Sequence, residues 1–314
     1  MRTKQELGAV IRESRQAALI VNTHSRNGER LYNLAFRLLR EQGIEVVSSH
    51  PVSNPKLIRQ ITRSVLDQGH TLIIVGGGDG TFNTLIDLFV HRDVVLGILP
   101  LGTANNFARS MEIPMNLSGA VDVITGGKVV DVDLGMINGQ YFINIASIGF
   151  SRDVIRATPR LLKRYLGIFS YLLYETKYLI SQELFRCRIT IGDKTEEMRT
   201  RQMIIANGSF YGTRKITPDA HIDNRTLIIF AMDSMSRWQG LKFWVGYIMG
   251  RHLSFPESRL FSAEMAHIET EPEKYAIMGG EKTSMTPLLV SIDPAAVRIM
   301  APVSFLDHDE PVTC

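Results

Sequence analysis

The first part of the chain alternates short apolar runs with segments whose apolar residues recur at helical spacing. The apolar runs predict four strands, and the segments between them predict four helices. The predicted strands cover residues 17–21, 44–47, 71–75 and 94–99, and the predicted helices cover residues 30–42, 55–68, 82–90 and 105–110. Because these strands are apolar throughout, the pattern predicts a doubly wound α/β domain whose parallel sheet is covered on both faces.

After residue 128 the pattern changes to β-type segments separated by polar turns such as Asn138-Gly139. Predicted strands lie at residues 129–136, 140–146, 186–191, 201–207, 226–231 and 288–292, and predicted helices at 161–181 and 236–249. We therefore expect an N-terminal α/β domain followed by a larger, mostly antiparallel β-rich domain with helices. The expected boundaries are 1–130, joined by 303–314, for the first domain and 131–302 for the second.

The composition is that of a folded globular protein, with 45% hydrophobic and 21% charged residues. The net charge of +3 is too small to favour a dedicated nucleic-acid-binding protein, although it is compatible with transient contact with an anionic bilayer. The two cysteines, Cys187 and Cys314, do not suffice for a disulfide framework or a structural zinc site. The start lacks the apolar core of a signal peptide, and charges interrupt the apolar stretch at 161–180, so we expect a cytoplasmic protein.

The segment 76–83, with the sequence GGGDGTFN, follows an apolar strand and leads into a helix. Its glycines allow the backbone to approach a bulky anion without a Cβ clash, and amides at the start of a helix attract such an anion. Thr81 offers a hydroxyl donor, and Asp79 offers a carboxylate for a metal ion or a phosphate-bound water. No Lys-Ser/Thr pair closes the loop, so this is not a Walker motif.

A second polar loop, at residues 99–109, also follows an apolar strand and opens a helix. Because the carboxyl ends of parallel strands meet at one sheet edge, we expect the two loops to lie together. Thr103 offers a hydroxyl to a phosphate or a ribose, and Asn105 or Asn106 is expected to cap the helix.

Together these loops resemble the catalytic domain of diacylglycerol and sphingosine kinases, especially the bacterial single-chain lipid kinases, which carry GGDGT on one loop and GTxND on the next. Further similar segments extend over nearly the whole chain, at residues 20–26, 163–167, 207–208, 218–220 and 280–281. The resemblance implies a nucleotide-binding α/β domain and a β-sandwich-like domain, with the active site in the cleft between them.

The resemblance also implies ATP and Mg²⁺ as cofactors. It assigns the nucleotide to polar and glycine residues on three loops: Asn22, Ser25, Gly77, Gly78, Asp79, Gly80, Thr81, Asn83, Gly102, Thr103 and Asn106. Asp79 would act on the magnesium-bound phosphates. Glu281 matches the glutamate of the family's Asp-Gly-Glu segment, whose carboxylate takes the proton from the acceptor hydroxyl.

Three acids of the family pattern are replaced. Gly279 stands for the Asp of Asp-Gly-Glu, and Asn106 stands for the Asp of GTxND. Some members hold a structural magnesium, whose ligands would correspond here to His221, Asp223, Asn224 and Thr226. Asn224 replaces a metal-binding Asp there and Arg225 adds positive charge, which weakens the expected site because a hard cation prefers carboxylate oxygen.

Two segments mix apolar and aromatic residues at helical spacing. Residues 156–178 also carry basic side chains, which suit either contact with a lipid surface or a helix packed on the β-rich domain. Residues 238–247 fit either a core helix or the wall of an acyl-chain pocket.

The leading interpretation is an ATP-dependent kinase that phosphorylates the hydroxyl of diacylglycerol or a related lipid alcohol. Its lipid substrate implies transient peripheral contact with the inner membrane face, and edge strands of the β-rich domain are compatible with a homodimer. One alternative is an NAD kinase or phosphofructokinase, which also carry a Gly-Gly-Asp-Gly loop. The other is a nucleotide- or lipid-binding regulator of weak activity, suggested by the lost acids at Gly279, Asn106 and Asn224.

Overall fold

A computed structural model gives the structure of the chain. It describes residues 2–24, 27–149, 183–208, 210–211, 214–215, 222–233, 239, 246, 249, 251–279 and 282–307. The chain divides into two compact units. The first comprises Met1–Leu134, His221–Asn224 and Asp293–Cys314, and the second comprises Gly135–Ala220 and Arg225–Ile292.

A parallel sheet forms the centre of the first unit. Its strands are β1 (Gln16–Asn22), β2 (Glu45–Val52), β3 (Leu72–Gly77) and β4 (Val95–Pro100). They lie in the order β2-β1-β3-β4, and every neighbouring pair is parallel. All residues of β3 and β4 are buried, which explains why both strands are apolar throughout. The predicted α/β domain with a parallel sheet is confirmed.

Six α-helices with described bounds lie in the first unit. They are α1 (Lys4–Ser14), α2 (Gly28–Glu41), α3 (Ile58–Asp67), α4 (Asp79–Leu85), α5 (Asn106–Ser110) and α6 (Leu117–Gly126). Short 3₁₀ turns cover Pro55–Leu57, Ile86–Leu88 and, in the second unit, His252–Ser254. Helix α1 was not predicted from the sequence; it begins with a capping box between Thr3 and Glu6 and buries Leu7 and Ile11.

Two antiparallel sheets form the second unit. Their strands are β6 (Gln140–Phe142), β7 (Ile145–Ile148), β8 (Phe185–Ile191), β9 (Lys194–Thr200), β10 (Met203–Ala206), β13 (Leu227–Met232), β14 (Ser258–Ala263), β15 (Met265–Glu271), β16 (Tyr275–Met278) and β17 (Lys282–Met285). A separate ribbon pairs β11 (Phe210–Tyr211) with β12 (Arg214–Lys215). One sheet has the order β14-β13-β10-β7-β16-β17, and the other contains β15, β8 and β9. Buried side chains of both sheets join in one core, as expected for the predicted antiparallel domain.

Two long strands contribute to both units. They are β5 (Lys128–Ile137) and β18 (Leu288–Ala301). The first residues of β18 pair antiparallel with β15, and Arg298 and Ile299 pair in parallel with β4. Arg298 also forms ion pairs with Asp131 at 3.3 Å and with Asp93 at 3.6 Å, so charge as well as pairing holds the returning strand in the first unit. The sequence predicted this strand only as far as residue 292.

Some predictions fall on residues that the structure does not describe. They include the predicted helix 161–181, the basic and aromatic segment 156–178, and the predicted helix 236–249 apart from residues 239, 246 and 249. Among the described helices, none combines the length and the apolar character needed to cross a membrane.

We expect the Cys187 thiol to be unreactive in the folded protein. Cys187 lies on β8 in the core of the second unit, and burial raises its pKa to about 12, so the reactive thiolate is scarce at neutral pH. In a Cys314→Ser variant, an aromatic disulfide reagent at pH 8 should label no thiol in the native protein and one thiol per chain in denaturant. Rapid labelling of the native protein would contradict the described packing of β8.

Candidate functional site

Three polar loops meet at the carboxyl edge of the parallel sheet. They follow Asn22 of β1, Gly77 of β3 and Pro100 of β4, and all three belong to the first unit. The sheet order places β3 between β1 and β4, so the three loops are neighbours. The chain passes from β1 to β2 on one side and then to β3 on the other, which makes the crevice between β1 and β3 a topological switch point.

The loops after β3 and β4 touch through their backbones. A Cβ built on Gly102 would lie 2.5 Å from the Cα of Gly78, and a Cβ built on Gly78 would lie 3.0 Å from the Cα of Gly102. In addition, the Leu101 amide donates to the Gly77 carbonyl at 2.9 Å. A Cβ on Gly102 would also lie 2.7 Å from Asn105 Oδ1, so a side chain at this position would force the two loops apart.

Asn22 links the loop after β1 to the glycine loop. Its Nδ2 donates to the Thr81 hydroxyl at 3.0 Å, and its Oδ1 accepts from the His24 amide at 3.2 Å. The Thr81 side chain is buried against Gly77, where a Cβ would lie 2.6 Å from Thr81 Oγ1. The Asn22 amide therefore crosses the crevice between β1 and β3 and fixes the position of the Thr81 hydroxyl.

Asp79 links the glycine loop to the loop after β4. Its Oδ1 accepts a hydrogen bond of 3.0 Å from the Phe107 amide, in the first turn of α5. Asn105, one of the two predicted caps, stands at the N-cap position of this helix, but its side chain makes no cap bond, and Asn106 is already the first helical residue. The cap comes instead from an acid on another loop, which no local sequence signal could indicate.

Asn105 braces the loop after β4 from within. Its backbone is left-handed, with φ of 50°, and its side chain accepts from the Gly102 amide at 2.8 Å and donates to the Gly102 carbonyl at 3.0 Å. Arg109 adds a bond of 2.9 Å from its Nε to the Ala104 carbonyl. Thr103 is therefore presented, exposed, at the tip of a braced turn. This role of Asn105 was not predicted from the sequence, although asparagine is one of the few residues that tolerate a left-handed backbone.

Several polar groups of the loops have no hydrogen-bond partner among the described residues. Within the described residues, the amides of Asp79 and Gly80 and the Oδ2 of Asp79 have no hydrogen-bond partner. The Oδ1 of Asn106 is buried and equally without a partner in the described part of the chain. The amides are suited to an anion, and the two oxygens are suited to a hard cation. Asn83, by contrast, turns its Nδ2 back to the Asp79 carbonyl at 3.1 Å.

The remaining candidate residues are only partly described. Ser25, Glu281 and His221 lie outside the described residues. Asp223 is buried, and Asn224 and Thr226 are half-buried, close in sequence to Ile222, whose carbonyl accepts from the Asp133 amide at 3.0 Å. In the described part of the chain, no group of three or more His, Cys, Asp or Glu residues is arranged to hold a metal ion.

Family comparison covers both units. Residues 16–137 match the diacylglycerol kinase catalytic domain. Residues 144–301, half of the chain, match the YegS C-terminal NAD kinase beta sandwich-like domain. The β-sandwich character of the second domain, which the sequence analysis took from the resemblance, agrees with this match.

Solved structures share the fold. A diacylglycerol kinase from Bacillus anthracis str. Sterne superposes with a TM-score of 0.74 at 23% identity, covering 93% of this chain and 98% of the other. Another structure from the same organism gives a TM-score of 0.79 at 24% identity and covers 98% of both chains. These likenesses bear on the fold alone.

Curated relatives are more similar in sequence. A diacylglycerol kinase of Staphylococcus haemolyticus is 30% identical over 232 residues, which cover 71% of this chain and 68% of the relative. A diacylglycerol kinase of Staphylococcus saprophyticus is 29% identical over 232 residues, covering 71% of this chain and 74% of the relative. With the two domain matches, these relatives show that the chain belongs to the diacylglycerol kinase family of lipid kinases.

Proposed function

We propose that this chain transfers the γ-phosphoryl group of ATP to the hydroxyl of diacylglycerol or a related lipid alcohol. Membership of a kinase family implies ATP as the phosphate donor, and the relatives are named as diacylglycerol kinases. The observation that carries the proposal is the close backbone contact between Gly78 and Gly102 at the carboxyl edge of the sheet. It holds the unpartnered amides of the glycine loop beside the loop after β4, at the edge where α/β sheets bind nucleotides.

In this proposal the ATP phosphates lie against the glycine loop, Gly77–Asn83. The open amides of Asp79 and Gly80 donate to phosphate oxygens, and the exposed Thr103 hydroxyl reaches the nucleotide from the neighbouring loop. Asn22 contributes by holding the Thr81 hydroxyl, whose own proton is left to donate. Ser25, which the family pattern also assigns to the nucleotide, lies outside the described residues.

Magnesium suits the oxygen atoms of this site. The Oδ2 of Asp79 and the buried Oδ1 of Asn106 have no partner among the described residues, and both are the hard oxygen ligands that Mg²⁺ prefers. When bound with ATP, the ion supplies charge neutralisation on the phosphates. Asp79 keeps its other oxygen on the Phe107 amide, so the carboxylate is held in one orientation.

The reaction proposed is a direct displacement at phosphorus. The lipid hydroxyl oxygen forms a bond to the γ-phosphorus while the bond from that phosphorus to the β–γ bridging oxygen breaks, which releases ADP. The hydroxyl proton passes to a carboxylate within hydrogen-bond reach. Glu281 is proposed as this base from the family pattern, and it lies outside the described residues.

Three finer expectations remain proposals. An acceptor that carries an acyl chain implies transient contact with a membrane surface. A homodimer through edge strands such as β9 or β14, and a structural metal at His221, Asp223, Asn224 and Thr226, also stay predictions.

The first experiment measures transfer of labelled γ-phosphate from MgATP to lipid alcohols in mixed micelles, with NAD and fructose 6-phosphate as competing acceptors. We expect one lipid class to be labelled and neither soluble acceptor. Labelling of NAD or fructose 6-phosphate would replace the lipid kinase by the corresponding enzyme. ATP binding without transfer to any acceptor would favour a regulator, with the lost acids as its explanation.

Asp79→Asn should separate the charge of Asp79 from its bracing role. The asparagine Oδ1 can still accept from the Phe107 amide, so the unfolding midpoint should stay close to that of the wild type, whereas transfer should fall on the order of 100-fold because a charged metal ligand is lost. Phosphate transfer and thermal unfolding are measured on the same preparation.

Asp79→Ala is the companion variant. It removes the cap of α5 as well, so it should lower both transfer and, by about 1 kcal/mol, the free energy of unfolding. Wild-type transfer by Asp79→Asn would remove Asp79 from the proposed chemistry and leave it only its bracing role.

Gly80→Ala tests whether phosphate occupies the space beside the glycine loop. A Cβ at Gly80 meets no atom within 4 Å, so alanine should fold without strain. If a phosphate lies against this backbone, however, the methyl group takes its place, and KM for ATP should rise roughly tenfold, equivalent to about 1.4 kcal/mol of binding.

Gly126→Ala is the matched control. Gly126 lies at the end of α6, is exposed, and likewise has no atom within 4 Å of a built Cβ. Its alanine variant should keep the wild-type KM for ATP. Equal KM values for the Gly80 and Gly126 variants would show that the nucleotide does not lie against Gly80.

A further inference from the structure

Arg59 of α3 meets α4 where that helix ends. Its Nη1 donates to the Thr84 carbonyl at 2.7 Å and to Asp87 Oδ1 at 2.7 Å, and its Nη2 donates to Asp87 Oδ2 at 2.5 Å. Thr84 lies in the last turn of α4, and Asp87 lies in the 3₁₀ turn that follows it. One planar guanidinium therefore clamps the junction at which α4 changes to a 3₁₀ turn.

Arg59 has no acidic partner in the first turn of its own helix. It is the second residue of α3, and the 3₁₀ turn Pro55–Leu57 directly precedes that helix. Its carboxylate partner is Asp87, beyond the end of α4, and hydrogen bonding to Asp87 raises the pKa of the Arg59 guanidinium. The Arg59 side chain therefore links the start of α3 to the end of α4.

The clamp reaches the glycine loop through α4 itself. Thr84, whose carbonyl Arg59 holds, donates its hydroxyl to the Gly80 carbonyl at 2.8 Å. The helix has only seven residues and is therefore about 10 Å long, so a rotation allowed at its end displaces its beginning directly. The open amides of Asp79 and Gly80 are at that beginning.

We propose that Arg59 is a positioning residue for phosphoryl transfer: it fixes the axis of α4 and thereby aims the amides of the glycine loop at the ATP phosphates. The inference rests on the proposed function. Arg59 acts through Thr84 and Asp87 and does not itself contact the nucleotide.

Arg63 provides a matched control on the same helix. It is one turn further along α3, is exposed, and forms no hydrogen bond or ion pair with any described residue. Arg63→Gln and Arg59→Gln make the same chemical change, and only the second removes the clamp.

The experiment compares the wild type with Arg59→Gln, Arg59→Lys and Arg63→Gln, each over a range of ATP and lipid concentrations. For Arg59→Gln we expect kcat/KM for ATP to fall about 10- to 100-fold, since small misplacements of reacting groups have effects of this size, while KM for the lipid stays unchanged. Arg59→Lys should recover part of the loss, because an ammonium keeps one charge-assisted bond. Arg63→Gln should match the wild type.

A merely structural role gives a different result. If Arg59→Gln only unfolds part of the protein, kcat falls with the active fraction, both KM values stay at wild type, and the thermal midpoint drops. That result, or equal constants for the Arg59 and Arg63 variants, would overturn the proposal.

An inactive wild type would count against the proposed function, and the positioning role would then be judged by MgATP affinity in calorimetry. Weaker binding by Arg59→Gln than by Arg63→Gln would support it, and equal binding would overturn it. A wild type that binds no MgATP would end both proposals.

Discussion

The site depends on the close approach of two loops at Gly78 and Gly102, held together by the hydrogen bond from the Phe107 amide to Asp79. Without this contact the glycine loop and the loop after β4 would be separate strand-to-helix turns. With it, the open backbone donors and the exposed Thr103 belong to one surface. One carboxylate oxygen of Asp79 accepts from the Phe107 amide, and the other has no partner among the described residues, so it is available for the proposed metal ion.

Position 106, where Asn106 stands for the aspartate of the family pattern, lies on the second of these two loops. Asn106 keeps an oxygen, buried and without a partner among the described residues, but it lacks the unit charge of an aspartate. A neutral oxygen attracts a hard cation less strongly and repels phosphate oxygens less. In the proposed function, Asp79 and the backbone amides would therefore account for more of the electrostatic stabilisation of a phosphoryl group.

Much of the first unit could be predicted from the sequence, because β1, β3 and β4 are buried on both faces and read as apolar runs. The predicted start of α4 was residue 82, whereas the helix begins at Asp79. Glycine disfavours a helix, so the helical turn that contains Gly80 depends on tertiary contacts that the local sequence does not show. The glycine loop and Asp79 carried a local signal, so the sequence alone indicated them as candidates, and their role stays a prediction. The cap of α5 and the clamp by Arg59 join residues distant in sequence, so periodicity could not reveal them.

The polar side chains around the three loops mostly hydrogen-bond to loop backbone or to one another. Substitutions of these side chains are therefore expected to act by moving the loops. Only proline removes a backbone amide donor; any other substitution can only move it. Asn22, Asn105 and Arg59 each hold a loop or helix end whose amide or hydroxyl faces the proposed nucleotide. Electrostatic catalysis needs donors that are fixed before the reaction, so in the proposed function such residues would control the rate through geometry without touching the substrate. With Gly279, Asn106 and Asn224 in place of the acids of the family pattern, the proposed reaction would depend on that geometry more strongly.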